Sequence, residues 1–238
     1  MSRIFDRSVI NGMVLENRLV RSATWEGMCG DDGRPTEKLL ACYRDLARGG
    51  VGLIVTGYAF VRRDGRQLPG TLGMHEDGLA EEMRRLTAGV HWEGGRIAVQ
   101  LVHAGGKADT KSLGCAPLAP SALESPQFAE RPEAMTLADI EAVVEAFAQG
   151  ARRGRAYGFD AVQLHGAHGY LINQFLSPLT NQRTDGYGGS GENRRRFLME
   201  VYGAVRRAVG SDYPVLIKLN GDDFMAGGWA LAEAVEAA

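Results

Sequence analysis

Cysteine is scarce in this chain. Cys29, Cys42 and Cys115 are odd in number, widely spaced and form no CxxC pair, which argues against a disulfide framework or a structural zinc and fits a reducing cytosol. Long apolar runs are missing as well. The N-terminal MSRIFDRSVI has no stretch of signal-peptide length, and nothing in the 238 residues approaches the run of roughly 20 that spans a bilayer. Charge of one sign is not in excess: the formal net charge is −2 and the basic residues form no stripe, so nothing pulls the chain toward nucleic acid. Two nucleotide signatures are also lacking. SATWEGMCGDDG, after the first candidate strand, does not match GxGxxG, and HAGGKAD lacks P-loop spacing. The expectation is a cytoplasmic, soluble protein with neither membrane nor nucleic-acid partner.

What is present is a 45% hydrophobic composition and 32 glycines placed mostly between apolar runs, the pattern of a compact domain with many tight turns. Strand-like runs fall at Arg18–Ala23, Val51–Thr56, Arg96–Leu101, Phe159–Leu164 and Pro214–Leu219. Helical patterns alternate with them at Thr36–Arg48, Gly78–Trp92, Thr136–Tyr157 and Glu192–Val209. In the third, Thr136 can cap the helix with Asp139, and Ile140, Val143, Val144, Phe147 and Ala151 recur at helical spacing. This rhythm predicts an α/β fold with a parallel sheet. Gln100, His165 and Lys218 lie at the C-terminal ends of separate strands and Ser22 and Thr24 close the first, which favours a (β/α)8 TIM barrel. Only about five of the eight β/α units are expected here, in one incomplete barrel domain spanning residues 1–238, with WALAEAVEAA as the start of the fifth helix.

In Ala161-Val162-Gln163-Leu164-His165, strand alternation puts Ala161, Gln163 and His165 on one face. If Val162 and Leu164 pack on the helices, His165 points into the barrel mouth. His168 follows closely enough to converge with it, and two imidazole N–H groups aimed at one point can hold a carbonyl or nitro oxygen. Tyr170 could deliver a proton to an adjacent carbon. Metal ligation by His103, His165 and His168, giving a metal-assisted barrel hydrolase, is the competing reading, although the local window holds no acidic residue. Gln100 can pair with an imide edge or serve as a core amide bonded to neighbouring backbone. Lys218 can supply a cation at the mouth or pair with Asp222 or Asp223.

Segments spread over the whole chain add to this reading. They are LENRLVRSAT, VGLIVTGYAFVRRDGR, IAVQLVHAGGKA, APLAPSAL and FDAVQLHGAHGYLINQFLSPLTNQRTDGYGGSGENRRRFLMEV. Together they resemble the old yellow enzyme family, FMN-containing α/β barrels that oxidise NAD(P)H. The resemblance implies that Ser22, Ala23, Thr24 and Trp25 lie along the flavin, that Tyr58 lies near its edge, and that Gln100 bonds its pyrimidine. It places Lys218 near flavin N1. His165 and His168 would hold the electron-withdrawing group of a small-molecule activated alkene or other acceptor, with Tyr170 as proton donor. The implied reaction passes hydride from NAD(P)H to FMN and then to the β-carbon of the alkene. Trp25 stands where many relatives have cysteine or threonine, and Gly27 where some have tyrosine. The family's phosphate site belongs to the last barrel strands, so an inactive fragment with weak flavin binding, prone to self-association as a homo-oligomer, is the alternative expectation for these 238 residues.

Overall fold

The computed structural model describes residues 3–238; the first two residues of the span expected as one domain lie outside them. In chain order the elements are β1 (Ser8–Ile10), β2 (Met13–Leu15), β3 (Val20–Arg21), α1 (Glu37–Arg48), β4 (Leu53–Phe60), β5 (Leu72–Gly73), α2 (Ala80–Trp92) and β6 (Ile97–Val102). Then follow β7 (Leu118–Ala119), β8 (Glu133–Ala134), α3 (Leu137–Ala156), β9 (Ala161–Gly166), α4 (Leu171–Leu176), α5 (Gly191–Val209), β10 (Val215–Leu219) and α6 (Leu231–Ala237). Among the described residues there are also five short 3-10 turns, of which Arg63–Gly65 and Gly105–Lys107 carry residues of the site.

The main sheet runs β3-β4-β6-β9-β10, all parallel, with the short β5 beside β4. Spatial order follows chain order without a reversal, which distinguishes a singly wound barrel wall from a doubly wound sheet with a switch point. The architecture is therefore a partial (β/α) barrel. Two cores sit on opposite faces of this wall. Val162 and Leu164 join the large helix-side core with Val99, Leu101, Phe147 and Val201. Ala161 joins a small inner cluster with Leu53, Val55 and Ala98. The alternation expected for this strand is thus realised, and it turns His165 to the barrel interior. Each fully buried Phe or Val in the outer core contributes about 1.5–3 kcal/mol relative to exposure.

The long helices match their sequence patterns within two residues. Thr136 accepts from the Asp139 backbone N–H at 3.1 Å while the Asp139 carboxylate accepts from the Thr136 N–H at 2.8 Å, the capping box read from the sequence. The first strand differs. Instead of Arg18–Ala23, only Val20–Arg21 pairs, because residues 22–28 leave the sheet and are tied by side-chain hydrogen bonds rather than by a ladder. The β1–β2 hairpin and α4 were not expected. The hairpin strands are three residues each, too short for a periodic signal. In α4 all six residues are buried, so it shows no amphipathic stripe.

Candidate active site

Parallel register sets the side chains at the C-terminal rim side by side. Tyr58 is opposite Gln100, Gln100 opposite Gln163, and His165 opposite Lys218. His165 is 3% exposed. Its Nδ1 accepts the Ala167 backbone N–H at 3.3 Å, which puts the ring proton on Nε2. His168 adopts φ 60°, a left-handed conformation uncommon for a residue with a Cβ. That turn is held from two sides: its N–H donates to Asn220 Oδ1 at 3.0 Å, and its carbonyl accepts from Lys107 Nζ at 2.7 Å. The turn brings the two imidazole centroids to 5.1 Å and leaves the Tyr170 ring 4.8 Å from His165, both edge to face. His165, His168 and Tyr170 thus form one cluster, as their spacing suggested.

Burial, then His168, Lys218 and Lys107, push His165 down to about 3. Burial and the same two lysines lower His168. Both rings are neutral at physiological pH, each with one N–H to donate. A stability consequence follows. In the unfolded chain His165 takes a proton near 6.5, and in the folded protein near 3. Between those values the unfolded state binds more protons, so stability rises with pH and is lost as pH falls from about 6.5 toward 3. The urea midpoint is expected to be lower at pH 5 than at pH 7, and His165→Gln to flatten that slope. An unchanged slope in the variant would show that His165 is not the group responsible.

Tyr170 donates its hydroxyl to Gln67 Oε1 at 2.6 Å, and Tyr58 reaches the same oxygen at 3.4 Å. Burial raises the pKa of both phenols, so both stay protonated. Gln67 was not singled out from sequence. It lies in the loop GRQLPG, with no motif around it, and only the meeting of β4, the turn between β9 and α4, and this loop reveals it.

Gln100 is 1% exposed, and its Nε2 donates to Gln163 Oε1 at 2.6 Å. It is therefore not bonded to neighbouring backbone through its side chain, as one reading had it. Among the described residues no donor meets Gln100 Oε1. Lys218 does not pair with Asp222 or Asp223. Asp223 accepts from Ser177 Oγ at 2.6 Å and from the Trp229 N–H at 2.9 Å, while Asp222 accepts from the Phe224 N–H at 2.5 Å. A buried amide with an open acceptor, and a cation two strands away at the same rim without a carboxylate, suit the donor–acceptor edge of a flavin pyrimidine.

Ser22, Ala23, Thr24 and Trp25 form the irregular segment after β3, with Trp25 43% exposed. A largely buried network the sequence did not reveal shapes this segment. Arg21 contacts Glu26 at 2.6 Å, with side chains 17% and 11% exposed. Tyr43 donates to the same Glu26 oxygen at 2.8 Å and accepts the Gly57 N–H at 3.0 Å. Arg21 also donates to the Val55 carbonyl at 2.9 Å. At Gly57, where the β4–β6 register shifts, a Cβ would collide with the Glu26 carboxylate, so the absence of a side chain lets the network reach the strand.

The three-histidine metal reading is overturned by orientation. His103 Nδ1 accepts the Gly105 N–H at 3.1 Å, and its Nε2 faces Asp64 at 3.5 Å without an aligned hydrogen bond. Its ring nitrogens are thus turned to Gly105 and Asp64, and among the described residues no three His, Cys, Asp or Glu side chains are grouped to hold a metal. The HAGGKAD glycines do not cradle a phosphate either: the Gly105 and Gly106 N–H groups donate to His103 and Gln174.

The chain as a whole is similar to known proteins. The sequence profile of the NADH:flavin oxidoreductase / NADH oxidase family matches residues 3–238. A metal reductase of Desulforamulus reducens is 41% identical over 234 residues, covering 98% of this chain and 35% of the relative. An NADPH dehydrogenase of a Geobacillus species is 40% identical over 222 residues, covering 93% of this chain and 64% of the relative. The crystal structure of an old yellow enzyme from a Pichia species superposes with a TM-score of 0.91 at 32% identity, covering 99% of this chain and 66% of that one. The chain thus spans about a third to two thirds of the length of the proteins it matches. Among the described residues no helix is long and apolar enough to cross a membrane.

Proposed function

The chain belongs to the NADH:flavin oxidoreductase / NADH oxidase family, and from that premise we propose that it forms the substrate-activating part of an FMN-dependent NAD(P)H oxidoreductase of the ene-reductase kind. The observation that carries the proposal is the convergence of two neutral imidazoles and a protonated phenol at one barrel rim.

His165 and His168 hold the carbonyl or nitro oxygen of an activated alkene and stabilise the negative charge that develops on it. One such donor typically accounts for about 10²–10³ in rate. Tyr170 delivers a proton to the α-carbon. Gln100 and Lys218 would hold the pyrimidine edge of FMN, with the Ser22–Trp25 segment and Tyr58 as its further contacts. Bound FMN supplies the two-electron hydride chemistry, with NAD(P)H as the donor. The neutrality of the histidines matters here, because a neutral ring donates its hydrogen bond without placing a charge in the buried site.

The test is made on the protein loaded with FMN and reduced anaerobically with NADH or NADPH. Addition of 2-cyclohexen-1-one is expected to reoxidise the flavin and yield cyclohexanone. If the flavin is reoxidised by ferricyanide but by no enone or nitroalkene, the alkene assignment fails. If no flavin spectrum develops on loading, the cofactor assignment fails as well.

A further inference from the structure

Gln67 lies outside every motif that carries the proposed reaction, yet its carbonyl oxygen meets both phenols of the rim. We propose that Gln67 is a positioning residue for the proton donor: together with Tyr58 it holds the Tyr170 hydroxyl in place and steadies the Tyr170 oxygen once its proton has left. This inference rests on the reading of Tyr170 as the donor.

The geometry leaves Tyr170 little freedom apart from this contact. Its ring stands edge to face on His165 at 4.8 Å and packs against Tyr58 at 5.5 Å, while the Lys107 ammonium lies 5.6 Å from its centroid. The hydroxyl is then free only to rotate about its C–O bond. Gln67 Oε1, at 2.6 Å from Tyr170 and 3.4 Å from Tyr58, selects one rotation. A carbonyl oxygen has two lone pairs and can accept from both phenols.

The loop that carries Gln67 is anchored on both sides. Asp64 takes two hydrogen bonds from Arg62, at 2.9 and 2.6 Å, and faces the buried His103. Burial alone would raise the Asp64 carboxyl, but His103 and Arg62 outweigh it and hold it well below the usual range. The Gly65 carbonyl accepts the Ala104 N–H at 2.9 Å, and the Arg66 carbonyl accepts the Asp109 N–H at 2.8 Å. On the far side Thr71 donates to the Leu68 carbonyl at 2.7 Å. Gly65 has no room for a side chain, since a Cβ would lie 2.5 Å from the His103 ring. Gln67 is therefore presented from a braced turn.

The chemistry calls for such a partner. When the Tyr170 O–H bond breaks, the proton goes to the substrate carbon and the bonding pair stays on the phenolic oxygen. That anion no longer donates to Gln67 Oε1, and two lone-pair-bearing oxygens now face each other. Two nearby groups can donate instead: the Tyr58 hydroxyl, by turning from Gln67 to Tyr170, and the Gln67 Nε2, by rotation of the amide. Solvent water then returns the proton to Tyr170.

The experiment compares Gln67→Leu, Gln67→Glu and Tyr170→Phe in the FMN-loaded protein, with 2-cyclohexen-1-one and ferricyanide as separate oxidants of the reduced flavin. Gln67→Leu is expected to slow reoxidation by the enone about tenfold, in kcat rather than KM, and to leave reoxidation by ferricyanide unchanged, since ferricyanide takes electrons and no proton. Gln67→Glu keeps an acceptor for the Tyr170 hydroxyl but has no N–H to give the oxygen once the proton has left, so it is expected to stay slow, with the alkaline limb moved to higher pH because a carboxylate opposes the tyrosinate. Without flavin, the tyrosinate absorbance that Tyr170→Phe removes should likewise appear at higher pH in Gln67→Glu. An enone rate and pH profile unchanged in Gln67→Leu, with Tyr170→Phe slow, would overturn this inference alone. Equal loss with both oxidants would reduce Gln67 to a structural part and overturn it too. If Tyr170→Phe is itself as fast as the native protein, the donor assignment fails first and takes the inference with it.

Discussion

His165→Ala is expected to lower kcat/KM for an enone by about 10²–10³-fold while reoxidation of the reduced flavin by ferricyanide proceeds at the native rate. The ring is almost wholly enclosed, and its Nδ1 is occupied by the Ala167 N–H, so its one remaining function is donation through Nε2. Burial, together with the cations at Lys218 and Lys107 and the second imidazole, keeps it from charging. No other donor in the cluster can take its place, because His168 sits on a turn held by Asn220 and Lys107. His165→Asn restores an N–H and is expected to recover part of the loss. Stopped-flow traces with the two oxidants separate the outcomes. If alanine slows both equally, or neither, the ring does not activate the acceptor.

Glu26→Ala is the substitution with the largest expected effect on stability, about 3–5 kcal/mol, the range for removing one partner of a buried ion pair. Three groups depend on this one carboxylate. Arg21 would keep its charge in a site where little solvent reaches, Tyr43 would lose its acceptor, and the space left by the bare Gly57 would open. Because the network ties the segment containing Ser22–Trp25 to β4, weaker FMN binding should accompany the loss. The double variant Arg21→Ala, Glu26→Ala should cost less than the sum of the single ones, as contacting residues couple. Urea unfolding of the set decides the matter. A single-variant cost below about 1 kcal/mol would mean that water screens the pair after all.

The outer helices and the central strands were legible in the sequence for one physical reason: each has a repeating face. Ile140, Val143, Phe147 and Ala151 point one way from α3, and Val162 and Leu164 point opposite to His165 on β9. Elements without a repeating face escaped. The fully buried α4 has no polar side to set a period, and β3 pairs over only two residues because side-chain bonds shape the segment after it. The histidine and tyrosine cluster was visible because its members are neighbours in the chain. Gln67 and Tyr170 are not; 103 positions separate them.

By itself, the sequence determined the alternating α/β order, the polar residues at strand ends and the family to which the chain belongs, since all three are written in local pattern and motif. Tertiary structure alone decided that His103 turns away to Asp64, that Lys218 stays unpaired by Asp222 and Asp223, that Glu26 secures the segment after β3, and that Gln67 meets the proton donor. Those outcomes depend on which side chains parallel register and loop packing bring within hydrogen-bonding reach. No period or motif encodes a contact between residues so far apart along the chain.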